Sequence, residues 1–264
     1  MKSLRNILAL SGLLLMITSF VWMQFRQTER AKFAPEPKTA QPPAAPGPFA
    51  VVILDPGHGG QDSGAMCGGL LEKDLTLDVA RRIDRLLDSE GIATLMTRLG
   101  DTYVSLADRA AFANRIRNCI FVSIHFNEDN KPVASGVETY YAAHQITPGS
   151  LMASWLPLVW RPLSDSPNPQ SQSLAGFIQE ALVARTRAID RGTQARQFFI
   201  IANVSSPAVL IEAGFLTNKE DISKLTSEDY RDQIAAAVAD GILHYRDATN
   251  QLKPTLAVTE QPKR

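Results

Sequence analysis

Two histidines and two glutamates stand where strands and helices begin or end, and side chains of these types can carry out a metal-assisted hydrolysis. His58 lies in Asp55-Pro56-Gly57-His58-Gly59-Gly60 and His125 in Ser123-Ile124-His125-Phe126-Asn127. Glu72 heads an amphipathic helix, and Glu212 sits in Val209-Leu210-Ile211-Glu212-Ala213-Gly214-Phe215. Two imidazoles and a carboxylate suit a catalytic zinc that keeps one position open for water, and a second carboxylate can serve as the base.

Each residue also has a plainer explanation, and its context decides how far that explanation reaches. Glycines flank His58, letting the backbone turn sharply and leaving room for an ion or a substrate. This stretch is no phosphate loop, because no Gly-Lys-Ser or Gly-Lys-Thr follows it. His125 leaves an apolar run, where an imidazole without a partner is costly to bury. Glu72 taken alone reads as a first-turn carboxylate stabilised by the helix dipole. Glu212 has no polar neighbour in its strand, so its carboxyl needs a cation or a proton there, and burial favours it as a base. Of the other histidines, His244 falls in a closing helix and His144 is a weak candidate for substrate contact.

The elements that must gather these residues are legible as alternating strands and helices. Val51–Leu54 is an apolar run ended by Pro and Gly, which reads as a strand buried on both faces. Leu75, Val79, Ile83 and Leu86 recur at helical spacing, with Gly91 as a left-handed stop. A strand is expected over 92–97. A helix follows, capped at Ser105-Leu106-Ala107-Asp108 and running to about Arg117. Further strands are expected over 120–124, 136–141, 198–201 and 208–211. Helices are expected over 174–187 and along Tyr230, Ile234, Val238, Ile242 and Tyr245. The pattern predicts an α/β fold: a mostly parallel sheet with helices on both faces, forming a single catalytic domain over 49–248 with a tail over 249–264. In such a fold functional residues collect at the carboxyl ends of the strands, where His58, His125 and Glu212 are expected.

Outside that domain, Lys2 and Arg5 precede an apolar run from Ile7 to Met23. As a helix, these residues would span roughly 26 Å, near the thickness of a bilayer's hydrocarbon. Residues 1–25 therefore read as a signal peptide or signal anchor. Trp22-Met23-Gln24-Phe25-Arg26 lacks the small residues a signal peptidase wants, which favours an uncleaved anchor in the membrane. Residues 26–48 form a Pro/Ala-rich linker, with six prolines between 34 and 48 and little to bury. Lys plus Arg and Asp plus Glu both total 27, so no net charge argues for nucleic acid as a partner. Cys67 and Cys119 could pair in an oxidising compartment, but neither has the local context of a nucleophile. Residues 142–173 break the periodic pattern and carry Trp155 and Trp160. A loop of that length inside a compact domain is commonly functional.

Taken together and in order, these segments resemble the zinc-dependent N-acetylmuramoyl-L-alanine amidases, the amidase family 3 of cell-wall hydrolases. The matching runs are Leu54-Asp-Pro-Gly-His58-Gly-Gly, Glu72-Lys-Asp-Leu, Thr97-Arg98 with Asp101, Leu106-Ala-Asp-Arg109 with Ala113-Asn114, Val122-Ser-Ile-His125-Phe-Asn127, Gly136-Val-Glu-Thr-Tyr-Tyr141 and Glu212-Ala-Gly-Phe-Leu-Thr-Asn218. They extend from about residue 50 to about 246. By position, the resemblance implies that His58, Glu72 and His125 are ligands of one Zn2+ ion and that Glu212 is the catalytic acid and base. It further implies hydrolysis of the amide between the lactyl group of N-acetylmuramic acid and the L-alanine of the stem peptide. The substrate would be peptidoglycan and the location the bacterial envelope, with a tether to the inner membrane through the N-terminal helix. The 142–173 insertion resembles, in position, the place where some relatives carry an inhibitory helix, and its Trp155 and Trp160 are expected either to cover the cleft or to contact a glycan or a protein activator. The competing expectations are a zinc peptidase acting on stem peptides and a non-catalytic wall-binding protein.

Overall fold

A computed structural model describes residues 48–146 and 167–257. The signal segment, the linker, Trp155 and Trp160 lie outside the described residues. None of the described helices is long and apolar enough to cross a membrane.

The elements are β1 (Val51–Pro56), β2 (Met66–Cys67), β3 (Leu70–Leu71), α1 (Glu72–Ser89), β4 (Ala93–Met96), α2 (Leu106–Arg115), β5 (Cys119–Asn127), β6 (Val137–Tyr141), α3 (Pro169–Thr186), β7 (Asp190–Ala195), α4 (Phe199–Ala202), β8 (Ala208–Phe215), α5 (Lys219–Leu225) and α6 (Glu228–Ala257). Six strands form one sheet in the order β4-β1-β5-β8-β6-β7. The first four run parallel. β6 pairs antiparallel with β8 and parallel with β7, so the last two strands are reversed. The mostly parallel expectation therefore holds over two thirds of the strands. One rim collects the carboxyl ends of β1, β5 and β8 and the amino ends of β6 and β7.

Two apolar cores cover the two faces. One joins α1, α3 and α6 to the sheet through Leu75, Ile83, Leu174, Ile178, Val238 and Ile242. The smaller one packs α2 and α4 through Ala110, Ala113, Ile200 and Ile201 against Ile53, Phe121 and Leu210. β1 and the first six residues of β5 are buried throughout, the signature of strands covered on both sides. Cys67 and Cys119 are both free thiols, and the Cys119 Sγ lies 3.2 Å from Ser206 Oγ.

Several expectations need correction. Along α1, Leu75, Val79, Ile83 and Leu87 make the buried stripe, whereas Leu86 is 38% exposed. A step of four keeps to the stripe better than the three that leads to Leu86. Strands β5 and β8 extend further than their apolar runs, so His125 and Glu212 lie inside them. The expected strand over 198–201 is instead the short helix α4, with Ile200 and Ile201 buried and Phe198 and Phe199 exposed. Four apolar residues carry no period that separates helix from strand. The strand lies earlier, at β7, whose residues Asp-Arg-Gly-Thr-Gln-Ala show no apolar alternation. As an edge strand it hydrogen-bonds to β6 alone and buries little. The expected 142–173 insertion also ends sooner, because Asn168 caps α3 and Pro169 opens it.

Helices α3 and α6 approach closely at Gly241, where an added Cβ would lie 2.6 Å from the Cα of Ile178. Gly241→Ala should therefore force the pair apart at a cost of about 1–3 kcal/mol. A thermal melt several degrees below that of the parent protein is expected, and an unchanged melt would show that the contact gives way freely.

Candidate active site

At the rim, the residue that follows β1 and one residue each of β5, β8 and β6 form a continuous row. Pro56 is in register with Ile124, and the Gly57 amide donates to the Ile124 carbonyl at 3.0 Å, so Gly57 flanks His125. His125 is in register with Glu212, and Glu212 with Glu138. Paired residues on neighbouring strands project to the same side, so this register sets two carboxylates beside an imidazole. Gly57 is required by the row: an added Cβ would fall 2.3 Å from His125 Cε1 and 2.5 Å from its Nε2.

The remaining two groups arrive from segments beyond the strands. His58 follows Gly57 with φ +60, an uncommon backbone for a residue with a side chain, and Gly59 and Gly60 continue the turn at φ +129 and +60. Its ring is aimed by Asp62, whose Oδ1 lies 2.9 Å from His58 Nδ1 and also accepts from the Gly64 amide. That leaves His58 Nε2 facing Glu72 Oε1 at 3.0 Å, while His125 Nδ1 faces the same oxygen at 2.9 Å. The other oxygen of Glu72 accepts from the Ala65 amide, and Oε1 also accepts from the Phe126 amide.

One donor atom from each of His58, Glu72 and His125 lies within 4.8 Å of the others, a group able to hold a metal ion. The fit is chemical as well as spatial. Two imidazole nitrogens and one carboxylate oxygen form a known catalytic zinc set, and a carboxylate behind a ligand imidazole is the usual orienting partner. Gly64 completes the cradle, since a Cβ there would fall 2.4 Å from Glu72 Oε2 and 2.7 Å from His58 Cδ2.

The two central carboxylates are opposites electrostatically. Burial opposes ionisation of Glu72, but the hydrogen bonds with His125 and His58 outweigh it and hold the carboxyl well below its usual range. Glu212 is partly open as a residue, yet its Oε2 is sealed from solvent and has no hydrogen-bond partner. Burial pushes its pKa well up, and the nearby charges of Glu72 and Glu138 push the same way. Glu72 is thus fixed as an anion, and Glu212 is disposed to take a proton.

All four sequence candidates are accordingly at one rim, with Glu72 turned away from a simple dipole role. His244 is exposed on α6. Residues whose site roles were not read from sequence hold the frame. Arg98 donates to the carbonyls of Pro56, Gly57, Gly100 and Lys73 and to Thr76 Oγ1, tying the His58 turn to the first turn of α1. Its burial, together with the Arg109 charge, lowers its pKa to about 10. Arg109 donates to Asp55 Oδ1, to the Pro56 carbonyl and to the His58 carbonyl at 2.6 Å. Only the four-residue spacing from His58 marks Asp62 in the sequence. The arginines are marked by membership of the matching runs, with nothing local to say that they grip carbonyls.

Because Gly57 makes room for the His125 ring, Gly57→Ala should displace that imidazole without opening the core. Metal affinity is expected to fall about tenfold or more, the scale seen when a ligand's support is lost. Metal content after equilibrium dialysis measures it, and full retention would show that the close approach is not required.

Comparison with known proteins identifies the family. Residues 52–244 match the family described as N-acetylmuramoyl-L-alanine amidase, Amidase_3. The chain is 35% identical over 195 residues to the N-acetylmuramoyl-L-alanine amidase LytC of Bacillus subtilis, a match covering 74% of this chain and 35% of LytC. It therefore spans only about a third of that relative's length. Among solved structures, an N-acetylmuramoyl-L-alanine amidase from Clostridium difficile 630 superposes with a TM-score of 0.63 at 33% identity, covering 75% of this chain and 96% of the other. The CwlD amidase of Clostridioides difficile, solved in complex with the GerS lipoprotein, gives a TM-score of 0.63 at 27% identity and covers 74% and 98%. With the family model matching residues 52–244 and the fold shared with a solved amidase at 33% identity, the chain is an enzyme of the Amidase_3 family, the N-acetylmuramoyl-L-alanine amidases.

Proposed function

We propose that the protein hydrolyses the amide between the lactyl group of N-acetylmuramic acid and the L-alanine of a peptidoglycan stem peptide. In this reading His58, Glu72 and His125 hold one zinc ion and Glu212 moves the proton. The observation that carries it is the register of Glu212 beside His125, with an unpartnered oxygen next to a three-donor cluster. When bound, zinc supplies a Lewis acid that polarises a carbonyl and makes water a better nucleophile, and two nitrogens with one oxygen suit it among divalent metals.

The chain's own groups supply the remaining chemistry. Glu72, held as an anion by four contacts, keeps both imidazoles turned toward one point. Glu212 accepts the proton of the attacking water, which its buried setting favours. It then returns that proton to the alanine nitrogen, so the amine departs neutral. Arg98 and Arg109 keep the Gly57–Gly60 turn from relaxing.

An extracytoplasmic site of action in the cell envelope, where peptidoglycan lies, is supported by the amidases this chain resembles. A tether to the inner membrane through residues 7–23 and a protein activator meeting the 142–173 region belong to the same proposal. The CwlD amidase, solved in complex with the GerS lipoprotein, is a precedent for a protein partner on this fold.

Digestion of purified peptidoglycan, followed by mass analysis, tests the bond. Stem peptides with free alanine amines are expected, with release abolished by a chelator and restored by zinc. Cuts within peptides or between sugars would overturn the assignment. For the base, Glu212→Gln should retain metal yet lose about a hundredfold or more in turnover. Near-normal turnover in that variant would move the role to another residue.

A further inference from the structure

Beyond Glu212 the rim continues to Glu138 and then to β7, the polar edge strand. Glu138 is 2% exposed and well satisfied: its oxygens accept from Asn127 Nδ2 at 2.8 Å and from Gln194 Nε2 at 3.3 Å. Arg191 reaches the same carboxylate through Nε only, at 3.3 Å, and its guanidinium lies over the Phe215 ring at 4.8 Å. The arginine side chain is one-third exposed and, among the described residues, makes no hydrogen bond. Glu138 and Phe215 thus orient the guanidinium plane while its two terminal nitrogens stay available. Those nitrogens form the planar fork that pairs with a carboxylate in two-point fashion.

We propose that Arg191 reads a free α-carboxylate on the second residue of the departing stem peptide. This rests on the amidase reading given above. The alanine nitrogen released by hydrolysis must lie beside Glu212, which returns its proton. Neighbouring strands are about 4.8 Å apart, so β7 lies roughly 10 Å across the rim from β8, and the arginine side chain shortens that gap. Consecutive α-carbons are about 3.8 Å apart, so the carboxylate of the next residue reaches roughly 6–8 Å from the scissile nitrogen. The two lengths meet. Exposure points the same way: Arg191 is anchored by its Nε on the buried Glu138 and by its face on Phe215, so its outer edge is the part left to meet an anionic group.

Three soluble muramoyl-tripeptides test the assignment on the zinc-loaded full chain. In all three a glutamate second residue is joined to the third through its side-chain carboxyl; one has the α-carboxyl of that glutamate free, one has it as a primary amide, and one has it free with an amidated C-terminus. The parent protein should favour the first over the second by roughly tenfold in kcat/KM, chiefly through KM. Arg191→Gln should bring that ratio toward one, and Arg191→Lys should retain part of it, since a point charge replaces the fork. Because the ratio is taken within each variant, partial loss of folded protein cancels. A ratio near one in the parent, a ratio that survives Arg191→Gln, or a preference that follows the C-terminal carboxylate would overturn the inference. Absence of free alanine amine from every substrate would remove the amidase reading and this inference with it.

Discussion

One carboxylate oxygen draws together segments that the chain keeps far apart. Glu72 Oε1 lies 3.0 Å from a nitrogen of His58 and 2.9 Å from a nitrogen of His125. Bringing an anion and two imidazoles so close, mostly out of water, is costly unless each remaining lone pair and proton has a partner. The surroundings meet that demand atom by atom, with the Ala65 and Phe126 amides on Glu72 and Asp62 on His58. A cation shared among the three groups would complete the arrangement, because it replaces the protons that otherwise hold them together.

The same rim leaves its second carboxylate unsatisfied, and this contrast gives each glutamate its distinct chemistry. Glu212 is delivered by a strand whose neighbours are apolar, so nothing in β8 can stabilise its charge. Its register partners are His125 on one side and Glu138 on the other. Glu138 is itself saturated by Asn127, Gln194 and Arg191 and does not donate to Glu212. A proton acceptor kept from settling on any fixed partner stays available to substrate, which is what base catalysis needs.

How much of this was legible in the sequence follows from where its cues reside. Buried strands announce themselves by apolar runs, so β1, β5 and β8 and the residues at their ends could be read directly. Helix α2 was legible from its cap, and the Ser105 hydroxyl does accept from the Asp108 amide. What escaped was held by neighbours distant in the chain. Strand β7 exists because β6 offers it a free edge, and its own residues carry no strand pattern. Asp62 and Arg98 matter through their side-chain hydrogen bonds, which no periodicity records. The reversal of β6 and β7 was invisible as well, since alternation in Val137–Tyr141 is the same in either direction.

That reversal has a chemical consequence. In a wholly parallel sheet, the amino ends of β6 and β7 would lie at the opposite rim, and Glu138 and Arg191 with them. Running the last two strands backwards puts Glu138 beside Glu212, and Arg191 beside Glu138, at one rim. It also puts the most polar strand at the edge, where little apolar surface is lost and charged side chains protect an open row of backbone donors and acceptors. The features that hid β7 from sequence reading are therefore those that let it serve as the polar wall of the cleft.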